Sequence, residues 1–198
     1  QGLMHFVMLD YIKDFVRDVS GRQVETLPHP LRPLPSENIP VPDGFPVGKK
    51  VIFSPSRSSG MSDYEPIKQS MNGRGEITLV AKGNPSESSD HIQYWEYFQN
   101  YDAWMRHSQA VYISGKYIYR ASGVVFDSLG LGTPVIMMDC LLGREMHQLF
   151  PNAVKLISYA GKVLDVAFDK DKVALDCQKL RSSNASIELT NVFAKHLF

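Results

Sequence analysis

The chain has 198 residues, 43% of them hydrophobic and 21% charged, an ordinary globular balance with room for one full α/β domain and an appendage, or for two very small domains. Twenty-one basic and twenty-one acidic residues cancel, which excludes a broad electrostatic footprint for nucleic acid. Cys140 and Cys177 are too isolated for a disulfide framework or a zinc site, and no apolar run approaches the roughly 18 residues that cross a bilayer.

Residues 3–9 are apolar but short, carry His5, and lack the basic start and cleavage site of a signal peptide. A cytoplasmic setting is the expectation, with peripheral attachment at the inner membrane face left open. In residues 3–19, Phe6, Leu9, Ile12, Val16 and Val19 recur at three- and four-residue steps and predict a helix, which Ser20-Gly21 ends. A short strand is expected over 23–27. Residues 28–46 hold seven of the twelve prolines, a composition that suits an extended inter-domain linker. The expected division is therefore 1–46, carrying the helix, strand and linker as the tail of a preceding domain, and 47–198 as one Rossmann-like domain.

From residue 50 onward strands and helices alternate. Strands are expected at 50–54, 76–81, 91–95, 110–114, 135–138 and 153–157, with helices at 63–71, 101–107, from Ser122-Gly123 onward, at 144–150, and from about 161 to the end. Strands separated by helices argue for a parallel, doubly wound sheet.

The stretch AVYISGKYIYRASGVVFDSLGLGTPVIMMD, residues 110–139, is the most informative. It reads as a buried strand, a loop, a helix opening at Ser122-Gly123, the turn Gly132-Thr133-Pro134 and a second strand. A loop that feeds a helix start presents unpaired N–H groups and the positive end of the helix dipole, both suited to a phosphate. Helical side chains lean toward the N-terminus, so Asp127 could reach back toward whatever is bound there. Amides for a pyrophosphate beside an acceptor for ribose hydroxyls are what a nucleotide needs. The competing readings are a serine N-cap without a ligand and an Asp127 held in a core salt bridge.

These residues resemble the donor-binding core of GT-B-fold glycosyltransferases. Many retaining members carry Glu, seven residues, Glu, and then Gly-Thr-Pro-Val. Aligned on Gly132-Thr133-Pro134-Val135, this sequence has Tyr119 at the first acidic position and Asp127 at the second. Ala-Ser-Gly-Val-Val-Phe-Asp is also similar to the Ser-Ser-x-x-Phe-Asp of teichoic acid glycerophosphotransferases and some capsule glycosyltransferases. Those proteins carry Lys-x-His-Pro after an earlier strand, and here Lys82-Gly83-Asn84-Pro85 keeps the lysine and the proline.

The resemblance implies a Rossmann-like α/β fold of the GT-B C-terminal type and a donor site built from Arg57, Lys82, Tyr119, Arg120, Ser122, Gly123 and Asp127. Arg57, in a polar loop after the first strand of the domain, offers a guanidinium fork to a diphosphate; a solvated loop arginine is the plainer account. Lys82 ends a strand at the edge where open α/β sheets bind ligands, or it closes a turn. Tyr119 replaces a carboxylate that would touch the donor sugar and could hydrogen-bond or stack there. The aromatic residues between Tyr94 and Trp104 suit packing better than a nucleobase. Asp169-Lys170-Asp171 mimics a metal motif of a different transferase fold, but acids at a helix start are the ordinary reading. No catalytic base, metal or cofactor is expected within the chain.

The implied function is transfer of a sugar from a nucleoside diphosphate sugar to a glycan or lipid-linked acceptor, without a metal and with the acceptor's base on an absent N-terminal domain. Two alternatives are a CDP-polyol phosphotransferase of teichoic acid type and a non-catalytic Rossmann-like interaction domain.

Overall fold

The computed structural model describes residues 5–27, 29–31, 38–56, 61–115, 117 and 121–185. Its centre is a six-stranded parallel sheet built from β3 (Lys50–Ser54), β4 (Ile77–Lys82), β5 (Ile92–Trp95), β6 (Ala110–Ile113), β7 (Val135–Met138) and β8 (Val154–Ile157). The spatial order is β5-β4-β3-β6-β7-β8, with every neighbouring pair parallel. The central strands β3, β6 and β7 carry apolar residues on both faces because helices cover both sides of the sheet. Val51 and Phe53 of β3, Val111 and Ile113 of β6, and Val135 and Met137 of β7 enter one core. The alternate residues Ile52, Tyr112 and Ile136 enter the other.

The first core is covered by α3 (Tyr101–His107), α4 (Gly123–Gly130), α5 (Leu141–Leu149) and α6 (Lys170–Ala185). The second lies under α2 (Met61–Ser70) and a 3-10 turn at Ala160–Asp165. Burying a large apolar side chain contributes about 1.5–3 kcal/mol, and Trp104, Phe53, Leu79, Leu129 and Met137 are all essentially inaccessible.

The doubly wound parallel sheet agrees with the sequence expectation. The N-terminal segment differs from it. Residues His5–Val7 form β1, which pairs in parallel with β2 (Val24–Thr26), and the helix α1 occupies only Asp10–Ser20. Phe6 continues the helical spacing in the sequence, but its backbone is paired with Glu25 in a separate two-stranded sheet. A pairing across the length of α1 leaves no mark on local periodicity. Gly21, in the left-handed region at φ 63°, ends α1 as expected and returns its N–H to the Arg17 carbonyl.

Residues 38–49 form no helix or strand, yet they lie against the domain. The His107 Nε2–H donates to the Ile39 carbonyl at 2.9 Å, and Phe45 packs against Trp104 and His107. Leu9 and Ile12 join the first core, and Tyr11 sits near Cys140 and Glu145. Its phenol is raised to about 12, first by burial and then by those two groups.

Candidate functional site

The strand order reverses between β3 and β6. From β3 the chain winds outward to β4 and β5; from β6 it winds the other way to β7 and β8. The loops that follow β3 and β6 must therefore diverge to opposite faces, and they leave a crevice at the carboxyl edge. Ligands of open α/β sheets bind in such crevices. Ser54, Pro55 and Ser56 form one wall as β3 ends, all of them buried. Ala121 and Ser122, which lead into α4, stand on the other.

Ser122 precedes α4 with extended backbone, φ −121° and ψ 112°, and is 5% exposed. Its side chain makes no capping hydrogen bond. The plainer expectation of a serine cap is thus not what the structure shows. A helix start leaves its first amides without intrahelical partners, and those of Gly123 and Val124 receive none from the described residues. Gly123 is exposed, and a β-carbon there would meet only His29 Nε2, at 3.5 Å. The start of α4 is therefore an open N–H cradle carrying the positive end of the helix dipole.

His29 is the neighbour that the sequence reading missed. Its ring stacks on Phe126 at 4.6 Å between centroids and 5° between planes, and its Nδ1–H donates to the Pro30 carbonyl at 2.8 Å. A histidine inside a proline-rich stretch carries no local signal. Only the fold brings it to the first turn of α4.

Asp127 lies one turn into α4 and is half-buried. It lines a recess with Leu31, Phe126, Gly130, Leu131 and Arg181. That recess, of about 10 Å³, has no room for a sugar, so contact with a ribose requires the carboxylate to extend toward Gly123. Lys82 is half-buried at the last position of β4, on the same carboxyl edge. Beside it, Gly83 lets the backbone pass the Tyr94 ring, where a β-carbon would come within 2.5 Å. The expected site residues Arg57, Tyr119 and Arg120 lie outside the described residues.

Other motifs have structural work. Gly132, at φ 85°, turns the chain out of α4. Ser128 Oγ then donates to the Thr133 carbonyl at 2.9 Å, and Thr133 Oγ1 donates to Met105 O at 3.1 Å, tying α4, β7 and α3 together. The Gly-Thr-Pro turn therefore stands at the amino edge of the sheet, opposite the crevice. Tyr94, Phe98 and Trp104 are buried, and Trp95 packs on Trp104, whereas Tyr97 is 72% exposed. Asp169 caps α6 by accepting from the Asp171 and Lys172 amides at 3.1 and 3.3 Å. Among the described residues no cluster of His, Cys, Asp or Glu has the geometry of a metal site. No helix of the described residues is long and apolar enough to cross a membrane.

No protein-family model matches this chain, and no curated protein matches it in sequence. Solved structures match it in fold. The C-terminal CMP-Kdo binding domain of WaaA from Acinetobacter baumannii is 12% identical, with a TM-score of 0.52 over 68% of this chain and 90% of that domain. WaaG, a glycosyltransferase involved in lipopolysaccharide biosynthesis, is 14% identical, with a TM-score of 0.63 over 93% of this chain and 59% of its own. The sucrose-phosphate synthase from Thermosynechococcus elongatus is 12% identical, with a TM-score of 0.68 over 97% of this chain and 58% of its own. The fold is therefore the Rossmann-like fold of GT-B glycosyltransferases, in agreement with the expectation from residues 110–139. The chain spans a little more than half the length of the two larger enzymes.

Proposed function

We propose that this chain is the nucleotide-donor half of a GT-B glycosyltransferase, which moves a sugar from a nucleoside diphosphate sugar to a glycan or lipid-linked acceptor. The observation that carries the reading is the uncapped start of α4 at the strand-order reversal. The Gly123 and Val124 amides bind the diphosphate there, with Arg57, Arg120 and Lys82 as the cations around it. As the glycosidic bond breaks, negative charge builds on the departing diphosphate. Amides fixed at the helix start stabilise that charge without reorganising, and the cations proposed here add to them so that no metal is needed. Asp127 accepts from the ribose hydroxyls, and Tyr119 is assigned the sugar contact that the resemblance implies for the first acidic position.

The acceptor and its base belong to a second domain, a reading supported by the chain's half-length match to the larger enzymes. The residues 1–46 would be the tail of that domain and 47–198 the donor domain. A cytoplasmic location, with the acceptor presented at the inner membrane face, completes the reading.

The test is a calorimetric titration of UDP, GDP, CDP, ADP and CMP into the chain, with Asp127→Ala in parallel. One nucleotide is expected to bind, and the variant to weaken it by about 1–3 kcal/mol, the worth of a hydrogen bond to a charged group. Selectivity for CDP would move the reading toward the polyol phosphotransferases, whereas selectivity for CMP would point to a donor like that of the CMP-Kdo binding domain. Binding of none of the five would leave the fold as a non-catalytic scaffold.

A further inference from the structure

At the opposite, amino edge of the sheet lies an open depression of about 920 Å³. Its walls are the start of β3, the end of α3, the turn between α4 and β7, and one stripe of α6. Among the described residues five cations line it, Lys49, Lys50, Arg106, Lys170 and Arg181, together with His107, and no carboxylate does. In a chain whose 21 basic and 21 acidic residues balance, such one-sided charge is not the average surface.

Cations elsewhere are mixed: among the described residues Arg22, Lys68, Lys82, Lys155 and Lys179 meet no carboxylate, whereas six others do. Lys13, Arg17, Arg74, Arg144, Lys162 and Lys172 each approach a carboxylate within 3.6 Å. Among the described residues none of the five in the depression does. Of the nearby acids, Asp169 caps α6 and pairs with Lys172, and Asp127 lines the adjacent recess together with Arg181. Arg181 is half-buried and donates to the Gly130 carbonyl. Burial chiefly, and the like charge of Arg106 in addition, pull its guanidinium below the usual arginine range, against the opposing influence of Cys177. Like charges gathered without counterions repel one another and raise the local concentration of anions. The floor is apolar, with Leu131, Pro134, Phe168 and Val173.

We propose that this depression is a second anion site, distinct from the carboxyl-edge crevice, which takes a soluble small molecule bearing two or more phosphate charges on an apolar or ring-containing body. The concavity and volume suit a small ligand, whose sites run to roughly 300–1,000 Å³, better than a flat anionic surface. The site lies a full strand length from the crevice, so its occupant acts as an effector rather than as a donor.

The test is a titration of inorganic pyrophosphate into the isotopically labelled chain, with amide shifts followed residue by residue. The expected result is a set of shifts at residues 49–51 and 130–133, separate from any set at residues 122–125. Arg106→Gln and Lys50→Gln, both at exposed residues, are each expected to weaken that set about tenfold, the loss of one charge-assisted bond, and to leave the 122–125 set unchanged. Shifts confined to residues 122–125, or amino-edge shifts indifferent to both variants, would overturn the proposal. So would an absence of pyrophosphate binding at the amino edge; flotation on phosphatidylglycerol vesicles but not on phosphatidylcholine would then assign the cations to a membrane surface. The donor reading is judged by the nucleotide titration and the 122–125 set, and the two can fail independently.

Discussion

Gly123 separates stability from binding more cleanly than any other residue of the crevice. It opens α4 without a positive φ, and a β-carbon there would make only an ordinary contact with His29. Gly123→Ala should therefore fold with unchanged or slightly higher stability, by up to about 1 kcal/mol, while its methyl group intrudes on a phosphate bound at the helix start. Urea denaturation and nucleotide titration of the same variant should move in opposite directions. His29→Ala removes the stack on Phe126 and should cost about 0.5–1.5 kcal/mol in the same denaturation experiment. The adjacent Ser122 was legible in the sequence as a helix boundary, and its place at the helix start was correct. What its side chain does there was not legible, because capping depends on the loop's dihedral angles and not on residue type alone.

Elements show where sequence patterns suffice and where they fail. Residues 101–107 and 135–138 were readable to the residue, because apolar runs bounded by Ser108 and by Gly132-Thr133-Pro134 leave little choice of boundary. The strand at His5–Val7 was not readable, since its partner lies beyond α1. At Gly83 the close approach of β4's exit to the Tyr94 ring, 2.5 Å from a hypothetical β-carbon, predicts that Gly83→Ala costs about 1–3 kcal/mol by overpacking. The α6 cap gives a pH signature. Asp169 is held below the usual carboxylate range, chiefly by the backbone N–H of Lys172. A depressed folded-state pKa contributes stability above the unfolded value, which is lost as pH falls through the folded one. Asp169→Asn keeps a capping oxygen and should flatten the acid limb of a stability–pH profile, measured by thermal unfolding between neutral and strongly acidic buffer.

For the whole molecule, strand alternation was enough to read a doubly wound sheet, and the turn at residues 132–134 pointed to its GT-B character. Neither shows how the two edges divide the work. The sheet's polarity places an open N–H cradle at the carboxyl edge and, at the amino edge, a set of cations that meet no carboxylate among the described residues. Those cations stand at positions 49, 50, 106, 170 and 181, too scattered for any charge run to reveal them. The central claim is that the carboxyl edge binds a nucleoside diphosphate. Its most direct test is amide hydrogen exchange of the chain with and without saturating nucleotide. Protection is expected at residues 122–126 and at the Ser54 and Ser56 amides, on the two walls of the crevice. Protection elsewhere, with those two segments unchanged, would contradict the account.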